Sequence, residues 1–439
     1  MVKSMNARPK YHFTPRSGWI NDPNGFSTYK GEYHLFFQYH PYDVVWGPMH
    51  WGHTTSTDLI NWNHEEIALF PDEDGYIFSG SCVLDEENVS GFGQDGIKPL
   101  IAIYTSHDPV TGYQQQCIAY SLDYIHFTKY EGNPVIANTR ELRGQNYEVD
   151  FRDPKVFRNP VRGGYSMVLA VGRIIEFYHS DNLIGWTKTG SFDPSINGFY
   201  GICECPDCFV LSSDDGDKWI LSISSILEDD MVGKSISEKG FNTARVMQYF
   251  VGEFDGDTFI DTEKYDRPLI LDYGTDNYAM VTFADTVRPL AMGWGEHWDY
   301  VMKSPLTGHD GTSDSYRGKM TLARELTLVK TSSGYRVAQN PVIEDGNMLK
   351  RYHFSMNDML GGKARINLPD CDNALLSICV EEDKISVRRR SFLKEDNYNT
   401  FTYDREISGD CDILVCEDQG YYEIFADGGL GVFSIMTYN

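Results

Sequence analysis

Apolar residues in this chain fall into short β-branched and aromatic runs parted by Gly, Asp and Asn clusters, the pattern of strands linked by hairpins. Residues 33–39, 100–104, 165–171 and 219–224 are such runs, and Asp214-Asp215-Gly216-Asp217 is such a break. A phrase recurs among them: Ser56-Thr57-Asp58-Leu59-Ile60-Asn61-Trp62, then residues 121–127, then residues 180–186, each with a Ser ahead of an aromatic. The copies lie about 60 residues apart, near the spacing of radially repeated β-sheets, and carrying that period to about residue 330 gives roughly five units.

Beyond residues 317–326 the character changes. Ser332-Ser333-Gly334 reads as a hairpin tip and residues 340–346 as a linker. Short alternating runs follow at 384–388, 422–425 and 431–436, the spacing of a small β-sandwich. The expected fold is all-β, a five-bladed β-propeller over residues 1–335 followed by a C-terminal β-sandwich over 345–439.

Composition narrows the function. At 439 residues the chain can bury substantial cores, and its 28 Tyr, 24 Phe and 8 Trp favour strands and supply flat surfaces for sugar rings. A net charge of −26 repels phosphate backbones and anionic lipid, so neither nucleic acid nor membrane is an expected partner. Residues 1–8 carry no apolar leader, and no run has the length of a membrane span. Nine cysteines without framework spacing suit reduced thiols, so a cytoplasmic location is expected.

Four stretches carry polar groups that ordinary strands do not need: Trp19-Ile20-Asn21-Asp22-Pro23-Asn24-Gly25, Phe78-Ser79-Gly80-Ser81, Phe151-Arg152-Asp153-Pro154 and Cys203-Glu204-Cys205-Pro206-Asp207. Pro23 pushes Asp22 into an extended conformation, and Asn24-Gly25 supplies a tight turn. Alone, Asp-Pro-Asn-Gly is an ordinary hairpin signal and Arg-Asp-Pro an ordinary ion pair. Together, four costly polar stretches in apolar surroundings point to one shared polar cavity. Cys203-x-Cys205-x₂-Cys208 lacks the second thiol pair of a zinc ribbon, and Asp72-Glu73-Asp74-Gly75 lacks a calcium loop's terminal Glu, so no metal is expected.

These motifs, in this order, resemble those of glycoside hydrolase family 32, the invertase, inulinase and levanase group, over roughly residues 8–330. The resemblance implies a five-bladed propeller and a retaining β-fructofuranosidase that needs no cofactor. It implies Asp22 as nucleophile, Glu204 as general acid/base and Asp153 as transition-state stabiliser. It points further to Asn21, Gln38, Trp46, Phe78, Ser79 and Arg152 around the fructosyl unit, with Trp19 and Trp294 as additional aromatic surfaces. On general grounds the nucleophile is expected to be kept ionised by hydrogen bonds, and the acid to hold its proton in an apolar setting beside Cys203 and Cys205. Sucrose, sucrose phosphate, inulin and levan stay open as substrates, as does the oligomeric state. A fructosyltransferase and a non-catalytic carbohydrate-binding propeller are the alternatives.

Overall fold

The computed structural model describes residues 8–437 apart from 198–200, 229–242, 264, 266–267, 285, 287, 304–314, 344–347, 356–358, 360–361, 370–373 and 391–398. The acidic end of the expected linker and residue 345, the expected start of the second region, lie outside the described residues.

Five sheets follow one another along the first 341 residues. Sheet I orders Gly18–Tyr29, Glu32–His40, His50–Ser56 and Asn63–His64 side by side, and Tyr316–Arg317 adds a parallel strand beside Gly18–Tyr29. Sheets II and III run Tyr76–Leu84 to Thr128–Lys129 and Phe151–Arg158 to Thr187–Phe192, each as four antiparallel neighbours in chain order. Sheet IV begins at Gly201–Ser213, and sheet V pairs Tyr278–Thr282, Leu290–Trp294, Arg324–Thr331 and Gly334–Pro341. Because Gly334–Pro341 completes sheet V, the first region runs past the expected boundary at 335.

The first strands of the five sheets touch in a cycle, I to II, II to III, III to IV, IV to V and V back to I. Sequence explains why sheets stack this way. Tyr165–Val171, apolar apart from Ser166, is buried at every position because a neighbouring sheet covers each of its faces.

The recurring phrase is the turn between the third and fourth strands of sheets I to III. Ser56 Oγ accepts the Leu59 amide at 2.8 Å, and Asp58 Oδ1 accepts the amides of Ile60 and Asn61 at 2.9 and 2.7 Å. Ser121 and Asp123 repeat the arrangement, with Asn182 replacing the Asp in the third copy. The residue between, Leu59, Tyr124 or Leu183, takes a left-handed φ of 62–70° and buries its side chain. Short side-chain acceptors thus fix the turn, and the apolar residue pins it to the core.

Two four-stranded antiparallel sheets follow. One orders Leu349–Phe354, Cys411–Asp418, Tyr421–Ala426 and Gly431–Met436, the other Lys363–Leu368, Leu376–Glu381, Lys384–Arg389 and Thr400–Asp404. Alternate residues such as Ile378, Val380, Ile385 and Val387 meet Ile413, Val415, Ile424 and Phe433 in one shared core.

A buried ionic network joins these sheets to the first region. Arg324 donates to Glu423 Oε1 and Ser434 Oγ, both at 2.6 Å, and to Asp272 Oδ2 at 3.1 Å. His12 bridges Asp418 Oδ2 at 2.9 Å and Glu423 Oε2 at 3.3 Å. Asp272 and Asp276 thus anchor the chain against Gly431–Met436.

Candidate active site

Each first strand breaks register with its neighbour where the polar residues sit. The breaks fall between Ile20 and Pro23, Ile77 and Gly80, Arg152 and Lys155, Glu204 and Asp207, and Tyr278 and Val281. Such bulges bend the strand and re-aim a side chain, and here they occur at one level of adjoining strands. Three bulge residues that are not glycine hold a left-handed φ: Asp153 at 64°, Cys205 at 43° and Ala279 at 55°. Each such conformation costs on the order of 1–3 kcal/mol and persists only where neighbours impose it. Here the preceding sheet does so. The Asp153 amide donates to Thr105 Oγ1 at 3.0 Å, the Cys205 amide to Asp153 Oδ2 at 2.9 Å, and the Ala279 amide to Ser224 Oγ at 3.1 Å.

The result is a cleft of about 320 Å³ lined by Asn21, Asp22, Gln38, Trp46, Phe78, Ser79, Arg152, Asp153 and Glu204, together with Ile226, Arg245 and Trp298. Four sheets therefore contribute the residues singled out from sequence. Ser79 Oγ donates to Asp22 Oδ2 at 2.8 Å, and the Cys205 thiol lies 3.7 Å from the same oxygen and 3.6 Å from Asp153 Oδ2. Across the cleft Arg152 donates to Glu204 Oε1 at 3.1 Å and the Tyr278 hydroxyl to Glu204 Oε2 at 2.7 Å. Arg152 also pairs with Asp150 and lies 4.0 Å from Asp153. Gln38 donates to the Ile77 carbonyl at 3.0 Å, and Phe78 stacks on His107 with centroids 4.2 Å apart.

The electrostatics depart from expectation. Burial, and then the negative charge of Glu204, raises the Asp22 carboxyl above its ordinary range, although hydrogen bonds from Ser79, Asn21 and Cys205 pull it down. Asp153 is pushed up to about 7 by burial; Arg152 opposes the shift, and the charges of Asp22 and Glu204 add to it. The hydrogen bonds on Asp22 therefore do not outweigh its desolvation. Glu204 lies in a polar setting, since Arg152 and Tyr278 grip both of its oxygens. Alternation sets Cys203 opposite Glu204, in an apolar core shared by sheets III and IV, and the bulge with its left-handed φ turns Cys205 toward the two aspartates.

Trp19 and Trp294 require correction as aromatic surfaces. Both are 0% exposed, with rings 6.0 Å apart, so neither presents a face to the cleft. Trp19 instead donates to Asn21 Oδ1 at 2.9 Å and fixes that amide, while Trp298, 4.7 Å from Trp294, reaches the cleft wall. Sequence reasoning also missed Tyr278 and Arg245. Nothing local in the sequence marks Tyr278 as the partner of Glu204. Arg245 sits 3.9 Å from Glu204 Oε2 and 3.5 Å from Asp299 Oδ1, with no motif around it. Among the described residues no group of three His, Cys, Asp or Glu side chains is arranged to hold a metal ion.

Known proteins share this arrangement of chain. A model described as the glycosyl hydrolases family 32 N-terminal domain matches residues 12–341. A levanase of Bacillus subtilis (strain 168) is 44% identical over 345 residues, which cover 77% of this chain and 47% of that protein. An extracellular exo-inulinase of Aspergillus niger is 36% identical over 366 residues, covering 76% of this chain and 64% of its own. The chain thus spans about half to two thirds of the length of these curated relatives. Among solved structures, an exo-inulinase from Aspergillus awamori superposes with a TM-score of 0.82 at 26% identity, covering 99% of this chain and 93% of that one. A fructofuranosidase from Schwanniomyces occidentalis complexed with fructose gives a TM-score of 0.80 at 26% identity, covering 99% and 92%. With three quarters of its length matched by the family model, this chain belongs to glycosyl hydrolase family 32.

Proposed function

We propose that this protein is a retaining β-D-fructofuranosidase that hydrolyses the terminal β-D-fructofuranosyl linkage of sucrose or short fructans. The observation that carries the reading is the convergence of Asp22, Asp153 and Glu204, from three different sheets, on one cleft. The relatives named levanase and exo-inulinase, and the fructose-bound neighbour, support the fructosyl substrate. In this reading the five sheets are the blades of a propeller whose first strands ring the cleft, and the last two sheets form a β-sandwich.

Retention requires two carboxyl groups about 5 Å apart across the scissile bond. Asp22 as carboxylate bonds to the anomeric carbon while the Glu204 carboxyl gives its proton to the departing oxygen. Glu204, now a carboxylate, then takes a proton from water, whose oxygen displaces Asp22 and releases fructose. Arg152 and Tyr278 hold Glu204 in line for both steps. Asp153, fixed by its strained backbone and by the Cys205 amide, accepts hydrogen bonds from ring hydroxyls that strengthen as positive charge develops. Asn21, Gln38, Ser79 and Arg152 supply further polar contacts, and Trp46 and Phe78 cover the apolar face of the sugar.

A fructosyltransferase differs only in that a sugar hydroxyl captures the same intermediate. Products at high sucrose distinguish the two. Equal glucose and fructose is the expected result; a large excess of glucose means transfer, and no release of either sugar from sucrose or fructan contradicts the proposal.

A further inference from the structure

Thr105, Gln114 and Gln116 are buried polar side chains of sheet II that do not line the cleft. Thr105 and Gln116 face each other across the strands Leu100–His107 and Gln114–Ser121, and Gln114 and Gln116 alternate onto one face of the latter. Valine, leucine or methionine would fill the same space without the desolvation that buried amides and hydroxyls cost. These polar atoms reach instead toward one short segment of sheet III, the one that carries Arg152 and Asp153.

Phe151–Arg158 ends its sheet, with a ladder neighbour on one side alone among the described residues. Gln114 Oε1 accepts the Phe151 amide at 2.8 Å, and Gln116 Nε2 donates to the Phe151 carbonyl at 2.7 Å. Two side-chain amides thus stand where the backbone of a further strand would be. The second bond fixes which way the Gln116 amide faces. Its Oε1 is left to accept the Thr105 hydroxyl at 2.8 Å, and that hydroxyl, its one hydrogen spent, offers a lone pair to the Asp153 amide at 3.0 Å. The direction of each bond in the series therefore follows from the Phe151 carbonyl, and the series ends on the residue whose left-handed φ of 64° needs holding. Gln114 acts one residue earlier. The oxygen that accepts the Phe151 amide lies 3.4 Å from Arg152 Nη1, and Arg152 reaches on to Glu204 Oε1.

We infer that Thr105, Gln114 and Gln116 are positioning residues, which set Asp153 and Arg152 for the transition state without touching the substrate. The inference rests on the fructosidase reading for the work that Asp153 does. Without the Thr105 acceptor the Asp153 amide loses its partner and the left-handed backbone is free to relax, carrying the carboxylate out of line with the ring hydroxyls. Because those hydroxyls bond most strongly as positive charge develops, the loss falls on turnover rather than on ground-state binding.

Thr105→Val removes the hydroxyl with little change of volume. On sucrose or a short fructan its kcat is expected to fall roughly 100-fold, the scale of a misplaced reacting group, with KM within about 3-fold of wild type. Thr105→Ser keeps the hydroxyl and is expected to restore kcat to within about 5-fold. In an Asp153→Asn background Thr105→Val should cost no more than about 3-fold further, because it acts through a carboxylate that is already gone. Should Thr105→Val not fold, Gln116→Met carries the same comparison, with a fall in kcat of roughly 10-fold expected. Hydrogen–deuterium exchange on the peptide that contains residues 151–153 needs no turnover, and both variants are expected to speed it. An unchanged kcat, an equal loss in Thr105→Ser, or a loss that persists in full beside Asp153→Asn overturns the inference, as does unchanged exchange at 151–153. If the wild-type protein releases no fructose while both variants speed that exchange, the hold on Arg152 and Asp153 stands and the fructosidase reading falls.

Discussion

Two clusters of buried acids in this molecule behave in opposite ways. At the junction with the last two sheets, Glu423 and Asp418 are held below the ordinary carboxylate range even though burial opposes it: Arg324 and His12 outweigh burial at Glu423, and His12 with the amides of Lys10 and Tyr11 at Asp418. In the cleft Asp22 and Asp153 are raised, chiefly by burial and further by the charge of Glu204, and at Asp153 the opposing charge of Arg152, which is shared with Asp150 and Glu204, does not cancel the shift. Asp276 is the exception at the junction, pushed up to about 6 by burial, with Glu296 adding to the shift and Arg389 opposing it. The same residue type is therefore structural where its charge is matched and poised for chemistry where it is not. Stability and activity are expected to respond separately to changes in the two clusters.

The largest separation comes from Asp22→Asn. Turnover is expected to fall by roughly 10⁴-fold or more, as when a nucleophile is removed. Since the raised Asp22 ionises at a cost to the fold, the melting temperature of this variant should match or exceed the wild type at neutral pH. A steady-state assay with a thermal melt reads both, and retained turnover would break the comparison from the catalytic side.

At the junction the expectation reverses. Arg324→Met takes the shared arginine from the buried carboxylates Asp272 and Glu423, leaving His12 beside Glu423, and should destabilise by about 3–5 kcal/mol, measured by denaturant unfolding. The kcat/KM of the fraction that remains folded should be unchanged, and a specific loss of turnover would mean that the two clusters are coupled.

A smaller effect sharpens the cleft half. Ser79→Ala removes a hydrogen bond that favours ionised Asp22, so the acid limb of the kcat/KM profile should move to higher pH. An unmoved limb would show that Asp22 does not control it.

The smallest effect concerns His12. Burial lowers its affinity for protons, but hydrogen bonds to Asp418 and Glu423 and their charges outweigh this and raise it overall. A raised histidine stabilises fully below its ordinary pKa and loses that contribution as pH climbs through the raised value. The stability difference between wild type and His12→Gln should therefore be greatest in mildly acid solution and shrink on the alkaline side. A constant difference across pH would remove His12 from the network.

Much of this division was legible in the chain. Runs such as Tyr165–Val171 and Gly431–Met436 coincide with strands because period and burial agree there, and the recurring Ser phrases mark real turns because short acceptors build them locally. Asp22, Asp153 and Glu204 stood out because each lies within two residues of a proline in a costly polar stretch. What local pattern cannot show is a partner far along the chain: Arg324 meets Glu423, and Tyr278 meets Glu204, only after the sheets assemble. Trp19 and Trp294 misled for a related reason, since whether an aromatic packs beneath the cleft or faces it is decided only when the sheets assemble. The setting of Glu204 was misjudged from its cysteine neighbours in sequence, whereas in a strand the neighbours in space belong to other sheets.

The most direct test is to trap the fructosyl-enzyme. Glu204→Gln slows resolution of the intermediate, and β-D-fructofuranosyl fluoride, whose leaving group needs little acid assistance, can still load the nucleophile. Peptide mass spectrometry after acid quench is expected to find one hexosyl unit on the peptide that contains Asp22, absent when Asp22→Asn is added. A protein left unlabelled while fluoride is released, or a label on the peptide that carries Asp153, would contradict the assignment of Asp22 as the group that bonds to fructose.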